Sequence, residues 1–84
     1  MSSVPAEYVE YVVTRIVGSA DEVTVTETDE AGELTIEVDV PAEDRGRVIG
    51  RGGRVIRSLR VIARASAGRH DRTMRLDIIE PERD

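Results

Sequence analysis

The stretch that most constrains the fold is Asp44-Arg45-Gly46-Arg47-Val48-Ile49-Gly50-Arg51-Gly52-Gly53-Arg54-Val55-Ile56. Two apolar pairs, Val48-Ile49 and Val55-Ile56, flank a four-residue segment, Gly50-Arg51-Gly52-Gly53. Helix-forming sequence lies on both sides, so the segment reads as a sharp helix–loop–helix turn. Such a turn brings backbone N–H groups to the start of the second helix, where the dipole favours negative charge. Glycine admits positive φ and lets a partner's backbone approach closely. With Arg47, Arg51 and Arg54 around the opening, the turn suits a phosphodiester backbone. A glycine-rich turn with no ligand is the plainer reading, so the context on both sides decides.

Charge supplies the first part of that context. The formal net charge is −5, which taken alone argues against a polyanionic partner. Its distribution argues the reverse. Residues 1–44 carry one Arg and twelve acids, a balance of −11, whereas residues 45–75 carry ten Arg and one Asp, a balance of +9. Residues 76–84 return to −3, with one Arg and four acids. An electrostatic footprint follows local charge, so the basic middle is the candidate binding surface. A solvated helix face paired with the acidic half is the alternative use of the same residues. All twelve cations are arginine, which suits bidentate contact with phosphate.

The flanking periodicities give the fold. Val9, Val12, Val13, Ile16 and Val17 recur at helical spacing, with Pro5 in the first turn and Gly18 as the expected C-terminal cap. Tyr8 and Tyr11 fall beside that stripe, where partial burial is expected. Val23 to Thr26 reads as a strand, Asp29 to Gly32 as a turn, and Leu34, Ile36, Val38 and Val40 as a second strand with one wet face. Short spacing makes these two an antiparallel hairpin. Ala42 to Ile49 gives about two helical turns before the glycine segment. In the next helix Ile56, Leu59, Ile62, Ala63 and Ser66 form the expected inward face, and Arg54, Arg57, Arg60 and Arg64 lie on another. Gly68 ends that helix, residues 69–72 form a loop, and Met74, Leu76 and Ile78 alternate as a last strand. Residues 80–84 are expected to be a frayed acidic tail.

The order is α-β-β-α-α-β, an α+β fold. A two-helix crossover between the second and last strands implies that they run parallel, with residues 34–40 central. One apolar face per strand places all three helices on one side of a three-stranded mixed sheet. Residues 1–80 then make one domain.

Val48-Ile49-Gly50-Arg51-Gly52-Gly53-Arg54-Val55-Ile56 resembles the (V/I)IGxxGxxI signature of KH domains, and the element order is that of the type II KH domain. The resemblance covers about residues 5–80, and the chain is similar to the small bacterial KhpA family. It implies a cytoplasmic protein that binds single-stranded RNA and serves as an RNA chaperone. It further implies a second KH-containing partner of the KhpB type and a link to cell shape and cell-wall biogenesis. A homodimer is the other expected assembly, and either would strengthen a weak single module through effective concentration.

Carried onto these positions, the resemblance implies that Gly50, Arg51, Gly52 and Gly53 clamp about four nucleotides of backbone. Arg47, Arg54 and Arg57 would add charge. Ile49 and Ile56 would support loop and groove from beneath, with the last strand and residues 68–73 as the far wall. Gly52 departs from the pattern by doubling the glycine, which leaves Arg51 as the loop's cation.

Other classes fit less well. No cofactor, metal site or small-molecule substrate is expected. Cysteine is absent, and the single histidine, His70, has no ligand-spaced companion, so an enzyme is not expected. The phosphate loop of NTPases follows a strand and carries Gly-Lys-Ser/Thr, and neither feature is present. No strand carries an aromatic residue for base stacking. No segment reaches the roughly 18 apolar residues of a membrane span. The remaining competitor is a KH fold acting mainly through a partner protein or the ribosome, with little RNA affinity of its own.

Overall fold

In a computed structural model, which describes residues 3–18, 20–66 and 73–79, the elements follow the expected order. They are α1 (Val4–Ile16), β1 (Thr24–Glu30), β2 (Glu33–Asp39), α2 (Ala42–Ile49), α3 (Arg54–Ser66) and β3 (Thr73–Ile79). The strands form one sheet in the order β1-β2-β3. β1 pairs antiparallel with β2, Val25 opposite Val38, and β3 runs parallel to β2, Leu76 beside Ile36. The expected end of α3 at Gly68, the 69–72 loop, His70 and the tail of residues 80–84 lie outside the described residues.

Alternation along β2 decides which side of the sheet is covered. Leu34, Ile36 and Val38 are buried with their neighbours Met74 and Leu76 on β3. They pack against Ala6, Val9 and Val13 of α1 and Ile56, Leu59 and Ala63 of α3. The other side carries Thr24, Thr26, Glu37, Asp39, Arg75 and Asp77, and stays polar. Val40 and Val48 complete a core made wholly of aliphatic side chains and Met74.

Several boundaries depart from expectation for local reasons. β1 continues to Glu30, past the apolar alternation that ended at Thr26, because the antiparallel ladder extends to Glu30 opposite Glu33. The turn therefore shrinks to Ala31-Gly32, with φ of 51° and 80°, the paired positive values of a tight hairpin. Glu27 consequently lies on the core side of β1 and uses its position to hold α1. Its Oε1 accepts from the Ser3 N–H at 2.7 Å, while Ser3 Oγ caps the helix by accepting from the Ala6 N–H.

At the other end of α1 the cap is Val17, not Gly18. The Val17 N–H donates to the Val13 carbonyl and the chain leaves extended, at φ −96° and ψ 160°. The Gly18 N–H instead donates to Oδ1 of the buried Asp44 at 3.1 Å. Both ends of α1 are thus held by carboxylates from other elements. Tyr8 and Tyr11 are half exposed, in keeping with the partial burial expected at the edge of α1, and the Arg15 guanidinium lies 3.6 Å from the Tyr11 ring centroid.

Ile62 is the clearest correction. Helical spacing put it on the inward face, yet it is 43% exposed, together with Val61. It stands on the flank of α3 that faces α1, above the layer where Ala63 and Leu59 reach the sheet. Ser66, expected inward, is half-buried and donates its hydroxyl to the Ala63 carbonyl.

Candidate nucleic-acid interface

α2 ends and α3 begins within four residues. Gly50 takes φ 79° and ψ 168°, a region essentially reserved for glycine, and its N–H closes α2 by donating to the Gly46 carbonyl at 2.8 Å. A Cβ built on Gly50 would stand 2.5 Å from Val55 Cγ2 and 2.8 Å from the Val55 nitrogen. Close approach of this backbone to α3 therefore requires glycine. Residues 51–53 then form a tight hydrogen-bonded turn, with positive φ at Gly52 and Gly53, rather than an open loop.

That turn determines which amide donors remain for a ligand. The Gly53 N–H donates to the Gly50 carbonyl at 3.1 Å, and the Arg54 N–H to the Arg51 carbonyl. Both donors are spent inside the turn, which narrows the sequence expectation of a general N–H opening. The N–H groups of Arg51 and Gly52 find no backbone acceptor among the described residues. Arg51 and Gly52 are exposed, and open space surrounds the place of a Cβ on Gly52. The two central residues of the turn are thus the ones that present donors to solvent.

The expected site residues divide into three groups. Gly50, Arg51, Gly52, Gly53, Arg54, Ile56 and Arg57 come together: Arg57 Nη1 and Ile56 Cγ2 lie 3.8 and 3.9 Å from the Cβ position of Gly53. Arg47 is exposed on α2, and its Nη1 lies on the Gly18 side, 3.7 Å from the Cβ position there. Ile49 is 38% exposed and so stands at the surface rather than beneath the turn, Val48 is the buried member of the pair, and Ile56 is buried in the first turn of α3. The apolar pair was legible, but a helix ending at Ile49 can bury only one of two adjacent residues.

Arg60 belongs to neither the exposed stripe nor the core. Its Nε and Nη2 donate to the Leu76 carbonyl at 3.2 and 3.1 Å, tying α3 to β3. A second feature had no clear sequence signal. Val4 and Tyr8 of α1 and Val61, Ile62 and Ala65 of α3 line an exposed, mostly apolar groove between the two helices.

No group of three or more metal-ligating side chains occurs among the described residues, and no helix among them is long and apolar enough to cross a membrane.

The KhpA/KhpB KH-domain family matches residues 6–78. The chain is 40% identical over 72 residues to the RNA-binding protein KhpA of Halalkalibacterium halodurans, covering 86% of this chain and 95% of that protein. It is 39% identical over 82 residues to the RNA-binding protein KhpA of Mycobacterium leprae, covering 98% and 99%. The corresponding protein of Listeria monocytogenes is 35% identical over 69 residues, covering 82% and 91%. No solved structure gave a significant match.

Proposed function

The chain belongs to the KhpA/KhpB family of KH domains, and on that premise we propose that it binds single-stranded RNA through the 50–53 turn. One observation carries the reading. The turn presents the N–H groups of Arg51 and Gly52 to solvent beside the exposed arginines 51, 54 and 57, at the positive end of α3. Phosphate oxygens accept from such donors, and neighbouring guanidiniums add bidentate contacts. Gly50 and Gly53 set the turn, Arg51 and Gly52 meet the backbone, and Arg54 and Arg57 line its path. Ile56 supports the turn, while Arg47 contributes field rather than contact. The relatives named as RNA-binding proteins span nearly the whole chain, which favours RNA over a purely protein-binding role.

A single module gripping about four nucleotides binds weakly and releases readily, which suits a cytoplasmic RNA chaperone. A second KH-containing protein of the KhpB type, or a second copy, would raise affinity by tethering two such modules. The apolar groove of Val4, Tyr8, Val61, Ile62 and Ala65 supports such docking, since it lies on the α1 and α3 surface and leaves the 50–53 turn open. KH domains are not an enzyme family, and no reaction is assigned.

The test is the double variant Arg51→Asp with Gly52→Asp. Both positions are exposed, and acids near a helix start are tolerated, so the fold should persist. Two carboxylates against phosphate should lower RNA affinity at least about tenfold, measured by fluorescence anisotropy beside thermal unfolding. A folded variant that binds RNA like its parent would refute the assignment.

A further inference from the structure

Asp44 stands at the head of the basic segment, in the first turn of α2, and is only 3% exposed. Its Oδ1 accepts from the Gly18 N–H at 3.1 Å, while Oδ2 is buried with no hydrogen-bond donor among the described residues. A buried carboxylate calls for a cation or several donors, and one amide supplies little of that compensation.

Arg47 is the cation placed to supply it. Asp44 and Arg47 lie about 60° apart around α2 at 100° per residue, whereas Arg45 stands about 100° round the other way. Helical side chains lean toward the N-terminus of their own helix. Arg47 accordingly reaches back over the turn that holds Asp44, away from residues 50–53. Its Nη1 and the Asp44 Oδ1 each lie 3.7 Å from the same point, the position a Cβ would take on Gly18. The guanidinium thereby also sits beside the carbonyl end of α1, where the helix dipole favours a cation.

We propose that Asp44 is a positioning residue that holds Arg47 against the end of α1 and withholds it from RNA. The inference rests on the 50–53 turn as the RNA grip. With Arg47 already neutralised, phosphate contacts fall to Arg51, Arg54 and Arg57 alone. Binding strength is then set in part by a carboxylate that the RNA never meets.

Anisotropy titrations of a fluorescent oligo-U RNA between about 50 and 200 mM salt give affinity and salt slope for the parent and three variants. Asp44→Asn keeps an oxygen for the Gly18 N–H and removes the charge. It should free Arg47 for one more phosphate, steepening the log–log slope from near −2 to about −2.7 and tightening binding about three- to fivefold near 0.1 M salt. Asp44→Asn combined with Arg47→Gln should return both values to those of the parent. Arg47→Gln alone should weaken binding about two- to threefold through loss of field, with the slope still near −2 because no phosphate contact is lost.

A merely structural Asp44 predicts unchanged or weaker RNA binding in Asp44→Asn, and that result in a folded protein would overturn the inference. So would a gain that survives in the double variant, since it would belong to the lost charge alone. Should Asp44→Asn fail to fold, Arg47→Gln decides by itself. An unchanged slope supports the stowed arginine, and a slope shallower by about 0.7 shows that Arg47 already touches phosphate. Arg51→Asp with Gly52→Asp in the parent reports on the turn separately. Loss of binding there leaves the turn assignment intact whatever Asp44 does, and undiminished binding refutes the turn and this role together.

Discussion

Replacing Gly50 by alanine should damage the domain far more than replacing Gly52, although both glycines belong to the same four-residue segment. At Gly50 the new Cβ meets three atoms of Val55 within 3 Å, and the nearest, Cγ2, can move by rotation about χ1. The Val55 nitrogen at 2.8 Å cannot, because it is fixed in the first turn of α3. Relieving that overlap means shifting α3 against α2, comparable to overpacking a core at about 1–3 kcal/mol. The backbone at φ 79° and ψ 168° adds about 1–3 kcal/mol for any side chain. Together the loss is about 2–6 kcal/mol, against a total stability of about 4–13 kcal/mol at this length. At Gly52 the values are φ 63° and ψ 17°, nothing lies within 4 Å of the Cβ, and the cost is about 1–2 kcal/mol. At about 4–8 °C per kcal/mol, the melting temperature of Gly50→Ala should fall at least about 8 °C. Circular dichroism melts and urea titrations of both variants measure the difference directly. Equal destabilisation of the two, or a Gly50→Ala variant melting within about 3 °C of the parent, would show that contact with Val55 is not what demands glycine.

Three further outcomes test other parts of the account. RNA affinity should fall with salt at a log–log slope near −2, as expected for about three phosphate contacts to a single strand, and a flat salt titration would contradict backbone gripping. Ser3→Ala removes the cap on α1 and should lower stability by about 0.5–2 kcal/mol in urea denaturation, with Glu27 still holding the Ser3 amide. Val61→Asp lies 65% exposed in the apolar groove, so it should leave the monomer's stability within about 0.5 kcal/mol. By sedimentation the same variant should lose any self-association or partner complex, and undiminished assembly would move the docking site elsewhere.

The fold was readable because β2 alternates cleanly and the glycine segment has helix-forming sequence on both sides. Those two facts fix element order, the central strand and the parallel crossover. β1 was only half visible, since Glu27 and Asp29 occupy core-side positions where alternation calls for apolar residues. Glu27 is there to hold the Ser3 amide of α1, a role set by tertiary contact. Ile62 shows the complementary failure. Spacing along α3 identifies an apolar stripe but not how wide a stripe its neighbours cover, and α1 leaves the outer part bare. At the candidate site, sequence gave the glycines and arginines as a group. It could not tell which amides the turn would consume, nor that Arg60 would leave the basic stripe to bond a strand sixteen residues away.

The charge asymmetry acquires a direction once the sheet is in place. Glu33, Glu37 and Asp39 of β2 and Asp77 of β3 share the polar side of the sheet, opposite the helices, with Glu30 at its hairpin end. Arg54, Arg57 and Arg64 are exposed on α3, in the other layer, beside the exposed Arg51 of the turn. A polyanion approaching the sheet side meets like charge, while the helix side attracts it, so the field turns the molecule before contact is made. The net charge of −5, to which the exposed Glu7 and Glu10 of α1 and Glu43 of α2 also contribute, weakens attraction to polyanions at distances beyond the Debye length of about 8 Å. Under the proposed assignment, attraction is concentrated around the turn, where a phosphate backbone would reach the Arg51 and Gly52 amides. A small domain with a uniformly basic surface would attract a phosphate backbone in many orientations, whereas this charge layout favours approach to the arginines of α3 and the turn.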